Sequence, residues 1–346
     1  MRRFSLALAV AAATLACIGL AQQAPTGGPY KVLKTAKVGG VGGFDYVNAD
    51  ETGRRLYVAR SGAGARITVF NLDTLEPAGE IANVSAHGAV VSPKTNHGFA
   101  SSKPVVMFDS KTLATIKTID VDGGPDGLFY DSFNDRVYVL SHRAPNATVI
   151  NAADGTVAGT IDLGGAPEQA ASDGKGHLYI DIEDKGNIAV VDAKTLTVTA
   201  HYDLEGKGGV CAGLAMDAKN NILFAACRNP QNMVILNAAD GKILDVLSIG
   251  VGTDGAAFNP NTMEAFSSQG DGTLTVIKEN SPSSYVVEQN VTTVPSAKTL
   301  TLDGKTNRIL LIAAEFGPPS TTPPPGGRPN RGPMLPDSFS ILVVGK

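Results

Sequence analysis

Gly123 to Leu163 reads GGPDGLFYDSFNDRVYVLSHRAPNATVINAADGTVAGTIDL, and its punctuation decides the fold. A glycine-rich opening, Gly123-Gly124-Pro125-Asp126-Gly127, leads into a short apolar run, Leu128-Phe129-Tyr130. A polar turn, Asp131 to Asp135, precedes Val137-Tyr138-Val139-Leu140, a run of strong strand formers. A loop then gives way to Thr148-Val149-Ile150, a tight turn from Asn151 to Gly155, and a last run from Val157 to Leu163. Four short strands separated by turn residues, with no window of helical period, predict one small antiparallel sheet.

The same pattern recurs along the chain. With Asp126 as the marker, the equivalent places are Phe44, His87, Glu168, Ala212, Asp254 and Lys298, spaced 39 to 44 residues apart. Second strands follow each marker, among them Leu56-Tyr57-Val58, Leu178-Tyr179-Ile180 and Ile309-Leu310-Leu311. Third strands follow in turn, from Ile67-Thr68-Val69-Phe70 to Phe339-Ser340-Ile341-Leu342. One four-stranded sheet cannot bury both its faces alone, so a repeat of this length predicts propeller blades packed face to face. Seven markers predict seven blades. The seventh stops after its third strand, and the run Tyr30 to Val38 resembles an orphan fourth strand. Pairing the two closes the ring and removes an exposed sheet edge. The fold class expected is an all-β, seven-bladed β-propeller of four-stranded antiparallel blades, completed by the N-terminal strand.

Composition sets the address and the partner class. Met1 to Ala21 has the form of a secretory signal: basic Arg2 and Arg3, an apolar run from Leu6 to Leu15, and Gly19-Leu20-Ala21 before Gln22. This predicts a secreted or periplasmic protein, residues 22–346 forming one propeller domain and no segment spanning a membrane. Leu15-Ala16-Cys17 offers a lipoprotein anchor as the alternative. The chain carries a formal net charge of −4, and loss of Arg2 and Arg3 makes it more acidic. Such a surface repels phosphate backbones, so no nucleic acid is expected as a general partner, a local basic patch aside. The absence of Trp argues against a WD-type repeat.

The turns between third and fourth strands take two forms. Asp109-Ser110-Lys111-Thr112-Leu113 and Asp192-Ala193-Lys194-Thr195-Leu196 are one; Asn151 to Gly155 and Asn237 to Gly241 are the other. Asp or Asn bonds the backbone ahead of it, and Gly supplies a positive φ. With blades reading Leu56-Tyr57-Val58 or Leu178-Tyr179-Ile180, then Val-x-Asp-x-x-Thr, then an isoleucine-ended strand, the chain resembles the YVTN family of bacterial and archaeal propellers. The resemblance spans the mature chain and implies a secreted or surface protein. Its motifs specify a blade and no reaction.

The first strands line the channel of a propeller, so their starting ends define one mouth. His87, Asp126, Glu168, Asp254 and Lys298 fall there, and the ends of the second strands add Arg60, Ser101, His142, Arg143, Asp181, Glu183, Arg228, Gln269 and Glu315. Asp126, Glu168, Asp254 and His87 could gather a hard divalent cation or a polyhydroxylated ligand. Solvated side chains around a wet hole explain the same residues without a ligand, and Lys298 could cancel the site by pairing with an acid. No spaced metal signature, Cys-x-x-Cys-His, Gly-x-Ser-x-Gly or Walker A loop occurs; no cofactor or catalytic residue is assigned, beyond the channel cation just named. His97, His177 and His201 read as solvated. Cys211 and Cys227 lie eight residues either side of Lys219, opposite one another in a hairpin, which predicts a disulfide in an oxidising compartment, with a metal or redox dithiol as the alternative.

Between Glu315 and Asp337 a segment rich in Pro and Gly interrupts the last blade (the inserted loop, 316–336) and predicts extended, solvated chain or a flap over the channel. The Asn83, Asn146 and Asn290 sequons read as chance. The leading functional expectation is a monomeric binding scaffold for a protein or small-molecule ligand at the channel mouth. The alternative is a metal-assisted hydrolase resembling propeller lactonases; electron transfer is weaker still without a haem motif.

Overall fold

The structure, a computed structural model, describes residues 27–62, 64–319 and 332–346. The signal segment, Cys17 and most of the Pro-rich loop lie outside the described residues. Among those described there are seven four-stranded antiparallel sheets and no helix. None therefore is a helix long and apolar enough to cross a membrane.

Six sheets are simple meanders in chain order. The seventh runs Lys31–Lys37, Ser340–Gly345, Arg308–Ala313, Leu300–Asp303, so the N-terminal strand is the outer strand of the last blade, as the orphan run predicts. It pairs antiparallel with Ser340–Gly345, from Lys31 opposite Gly345 to Lys37 opposite Ser340. Each first strand touches the first strands on either side, and Leu300–Asp303 touches Gly43–Asp50, which closes the ring.

Burial follows from that packing. Second and third strands are buried almost continuously, as in Val137 to Leu140 and Ala147 to Ile150, because a neighbouring blade covers each face. Tyr138, Leu140 and Val149 of the third blade meet Leu178, Ile180 and Val191 of the fourth in one of seven such clusters. Fourth strands face solvent on one side: Thr197–Asp203 alternates exposed and half-buried.

The two turn forms prove complementary to their neighbours. Asp109 Oδ1 accepts from the Lys111 and Thr112 amides at 2.9 and 2.7 Å, and Asp192 Oδ1 does the same for Lys194 and Thr195. The fifth place is left-handed in both forms, with φ of 63° at Leu113 and 68° at Gly155. Leucine bears this strain, about 1 kcal/mol, because its side chain packs over a glycine of the preceding blade. A Cβ on Gly159 would lie 2.9 Å from Leu196 Cδ1. Where the turn carries Gly241 instead, the preceding blade supplies Tyr202, whose ring would meet an added Cβ at 2.4 Å.

Closure is bolted as well as zipped. Tyr30 is 3% exposed and meets Phe266 edge-on, ring centroids 5.5 Å apart. Its amide donates to Gln289 Oε1 at 3.0 Å, its carbonyl accepts from Gln289 Nε2 at 2.8 Å, and its hydroxyl donates to the buried Glu264. Lys346 Nζ reaches the other Glu264 oxygen at 2.7 Å, so Tyr30, just before the closing strand, and Lys346, just after its partner strand, meet on one carboxylate of the sixth blade. Arg60, also buried, is no mouth residue: its guanidinium lies 3.8 Å above the Phe339 ring and donates to carbonyls of residues 39–42, the loop that leads from the closing strand into the first blade.

The base of the Pro-rich loop differs from the solvated chain expected of it. Phe316 and Met334 form an antiparallel bridge, Gly317 and Leu335 donate to Pro333 and Glu315 carbonyls at 2.8 Å, and both bridged side chains pack on the core between the last and first blades. Two apolar residues at the ends of the insert anchor it.

Candidate functional site at the channel mouth

In six blades the pairing of first and second strands slips by one residue at the same depth. The slips fall between Phe44 and Val47, Ala86 and Ala89, Pro125 and Leu128, Pro167 and Ala170, Cys211 and Gly213, and Thr253 and Ala256. A bulge breaks the alternation of a strand and re-aims a side chain. Here it presents Asp45, His87, Asp126, Glu168, Ala212 and Asp254 to the mouth, and Lys298 takes the seventh place just before its strand. Glycine follows in four of them (Gly88, Gly127, Gly213 and Gly255), since the strands crowd: a Cβ on Gly127 would sit 2.6 Å from the Glu168 carbonyl oxygen.

This corrects the first marker. Phe44 pairs with Arg60 and turns into the core against Phe339, ring centroids 5.1 Å apart; the mouth residue of the first blade is Asp45. The signal was present in Gly42-Gly43-Phe44-Asp45, which matches Gly123-Gly124-Pro125-Asp126 place for place.

The side chains so placed form a closed circuit in which carboxyl groups alternate with histidine, arginine or lysine. His87 Nδ1 lies 2.8 Å from Asp45 Oδ2 and 3.3 Å from Asp126 Oδ1. His142 Nε2 lies 3.6 Å from Asp126 Oδ2 and 3.8 Å from Glu168 Oε2. Arg228 spans Glu168 at 3.9 Å and Asp254, which it contacts directly, and donates to Glu183 at 2.7 Å. Lys298 binds Asp254 and returns to Asp45 at 3.6 Å. Arg228 fills the gap that Ala212 leaves in the fifth blade. Arg143 is exposed and stands outside this circuit. Lys298 and Arg228 thus do cancel Asp254, the outcome weighed for Lys298 from sequence.

Two side chains cross the channel beneath the circuit. Tyr46 Oη donates to Glu168 Oε2 at 2.8 Å from the far side of the ring. Gln169 Oε1 accepts from the Leu214 and Ala256 amides at 2.8 and 3.1 Å, tying the fourth blade to the fifth and sixth. A void of about 160 Å³ lies around both, and Gln169 also borders one of about 560 Å³ lined by the first strands. Neither residue was singled out from sequence, because a Tyr or Gln in a strand carries no motif.

The two halves differ electrostatically. Burial raises the Glu168 carboxyl to about 8, helped by Asp126 and Glu183 and opposed by Tyr46 and Arg228. Burial also raises Asp126, with Asp45 adding and the two histidines opposing. Asp181 is wholly buried, neither oxygen is hydrogen-bonded, and burial together with Glu168 and Glu183 holds it well above the carboxylate range. Asp45 differs: burial would raise it, but His87 and Lys298 outweigh that and lower it, while the bond to Asp45 raises His87. Two overlapping groups bring His and carboxylate atoms within 4.8 Å of one another: Asp45, His87 and Asp126, and Asp126, His142 and Glu168.

Cys211 and Cys227 stand opposite in the ladder as expected, buried, with sulfurs at bonding distance, 2.02 Å. His97 differs from its solvated expectation: half-buried, its Nδ1 lies 2.9 Å from the Ala152 carbonyl of the next blade.

No family model matches this sequence, and no curated protein does. Solved structures match in their fold. A chain in a structure described as the crystal structure of the mitotic checkpoint complex superposes with a TM-score of 0.70, covering 90% of this chain and 95% of its own at 12% identity. At that identity the likeness is one of architecture, and function must be argued from the site.

Proposed function

We propose that this chain is a binding propeller acting outside the cytoplasm, with the channel-mouth face as its working surface and a small polar ligand bearing hydroxyl or cationic groups as its target. The observation that carries this reading is the circuit from Asp45 through Asp126, Glu168 and Asp254 back to Lys298, contributed by the starting ends of the strands above a crossed channel. Rigid strand ends hold polar groups at fixed separations, which is what orientation-specific binding requires. Arg228 and Lys298 fall on one side, so Asp126 on the other has only the histidines His87 and His142 for ion-pair partners and favours a ligand that brings positive charge or donors. The buried Cys211–Cys227 pair supports an oxidising compartment.

Native mass spectrometry of the chain purified from the cells that make it tests this. A retained small molecule is expected, lost at least tenfold in Asp126→Asn and retained in Glu80→Gln on an outer strand. Retention indifferent to Asp126→Asn and Glu168→Gln overturns the reading. Saturable turnover of an ester or lactone, abolished by the same changes, replaces binding by catalysis.

A further inference from the structure

We propose that Asp126, His142 and Glu168 form a binding site for one divalent first-row transition cation, such as zinc or manganese. The proposal deepens the channel-mouth reading, since it names the group that the histidine half of the circuit receives.

Spacing is the first argument. His142 Nε2 stands 3.6 Å from Asp126 Oδ2 and 3.8 Å from Glu168 Oε2, too far for hydrogen bonds. Two ligands bound to one ion at about 2.0–2.2 Å and separated by tetrahedral or wider angles lie roughly 3.3–3.9 Å apart. The three side chains therefore sit at the separations that a shared ion imposes: Asp126 and Glu168 on strands at their bulges, and His142 as the first residue after the strand Arg136–Ser141, where the turn to Asn146 begins.

Satisfaction is the second. His142 Nε2 and Asp126 Oδ1 are shielded from solvent and make no hydrogen bond. Buried polar atoms of native proteins are nearly always paired, so atoms left over in one place point to something that completes them. Behind them Asp181 is wholly buried with both oxygens unbonded, a further unsatisfied group beside Glu168. Two ligand carboxylates and a neutral imidazole leave a formal deficit that one dication balances. In the other half Arg228 and Lys298 already meet that need.

The surroundings match a supported site. Tyr46 donates to the Glu168 oxygen that faces His142, and His87, bonded to Asp45 at 2.8 Å, stands 3.3 Å from Asp126 Oδ1 on the side away from His142. Hydrogen bonds of this kind to a ligand side chain orient it. Asp45 and His87 are already a hydrogen-bonded pair, which makes them supports and not ligands. Three protein ligands leave a coordination position open for water or for the ligand of the mouth. One imidazole with two carboxylates suits zinc, manganese or ferrous iron better than calcium or magnesium, which prefer oxygen alone. That revises the hard-cation expectation, which lacked His142 among the ligands.

The test uses the whole chain, stripped with a chelator, dialysed, and titrated calorimetrically with zinc and with manganese, the bound metal being counted by elemental analysis. One ion per chain is expected. His142→Ala and Asp126→Asn should each weaken binding about 100-fold or more, and Tyr46→Phe about tenfold, the range for losing a hydrogen bond that orients a ligand. His177→Ala, a surface histidine, should change nothing. His142 is one-third exposed and makes no hydrogen bond, so its removal spares the fold; circular dichroism verifies this, and Tyr46→Phe gives an independent reading. Wild-type protein that takes up less than a tenth of an equivalent overturns the site. So does binding that His142→Ala and Asp126→Asn leave intact, or calcium binding of equal strength. Ligand retention by the stripped protein would preserve the binding reading while the metal site fell.

Discussion

Tyr30→Ala should open the ring at its seam. The side chain is buried against Phe266 on the sixth blade, and its hydroxyl bonds a carboxylate that is itself wholly buried. Truncating a buried aromatic costs about 3–5 kcal/mol, and losing a hydrogen bond to a charged group costs roughly 1.5–3 kcal/mol. Glu264 keeps Lys346 at 2.7 Å, which limits the second cost, so a total near 5 kcal/mol is expected. Unfolding entropy of about 2.1 cal/mol/K per residue converts this, for a domain of this size, into a fall of roughly 7 °C in Tm. Tyr30→Phe keeps the ring contact and should lose only about 2 kcal/mol, near 3 °C. Lys31→Ala, one residue along on an exposed position, should lose less than 1 °C. Scanning calorimetry resolves all three. If Tyr30→Ala and Lys31→Ala prove equal, the closing strand contributes nothing through its bolt, and the account of the seam is wrong.

Three further outcomes follow from the mouth and the fifth blade. Glu168→Gln should stabilise the chelator-treated protein by about 2–5 kcal/mol at pH 9 and leave it unchanged below pH 4: a carboxyl raised to about 8 costs folding energy as pH climbs from its unfolded value through 8. A flat difference in Tm between pH 4 and 9 refutes that. His87, raised by Asp45, adds stability below its unfolded pKa that is lost as pH rises through the folded value; Asp45→Asn should bring its NMR titration down towards the ordinary range, and an unmoved midpoint counts against the pairing. Replacing Cys211 and Cys227 together by Ala should cost about 3 kcal/mol, the chain-entropy value for a loop closed by a separation of 16 residues, as measured by denaturant unfolding.

The architecture was legible because strand, turn and period agree at every repeat. Asp109, Asn151, Asp192 and Asn237 mark their turns by chemistry that acts within a few residues, and such local causes survive without knowledge of the neighbours. The mouth was half legible. A repeat count places His87, Asp126, Glu168 and Asp254, since each follows the same bulge. It misses Asp45 by one residue because the bulge itself shifts the alternation on which counting relies. Arg60 was misplaced for another reason: its depth is set by Phe339 and the loop 39–42, partners far along the chain. Tyr46 and Gln169 were invisible, because what they do depends wholly on strands across the channel.

The seam and the site are joined through that misplaced arginine. Arg60 holds the carbonyls of the loop that runs from the closing strand to Gly43, and Asp45 stands two residues beyond. Asp45 in turn orients His87 and receives Lys298, so it touches both halves of the circuit. The proposed metal ligands, by contrast, come from the third and fourth blades, Asp126 and Glu168 from their own bulges and His142 from the turn after Arg136–Ser141. Loosening the seam should therefore free His87 and Lys298 before it reaches His142 and Glu168. In Tyr30→Ala at temperatures below its unfolding, the His87 titration should move towards its ordinary value while metal affinity falls no more than the tenfold expected of a support. Equal loss of both would mean that the ring transmits strain through all its blades and that the two halves are not separable.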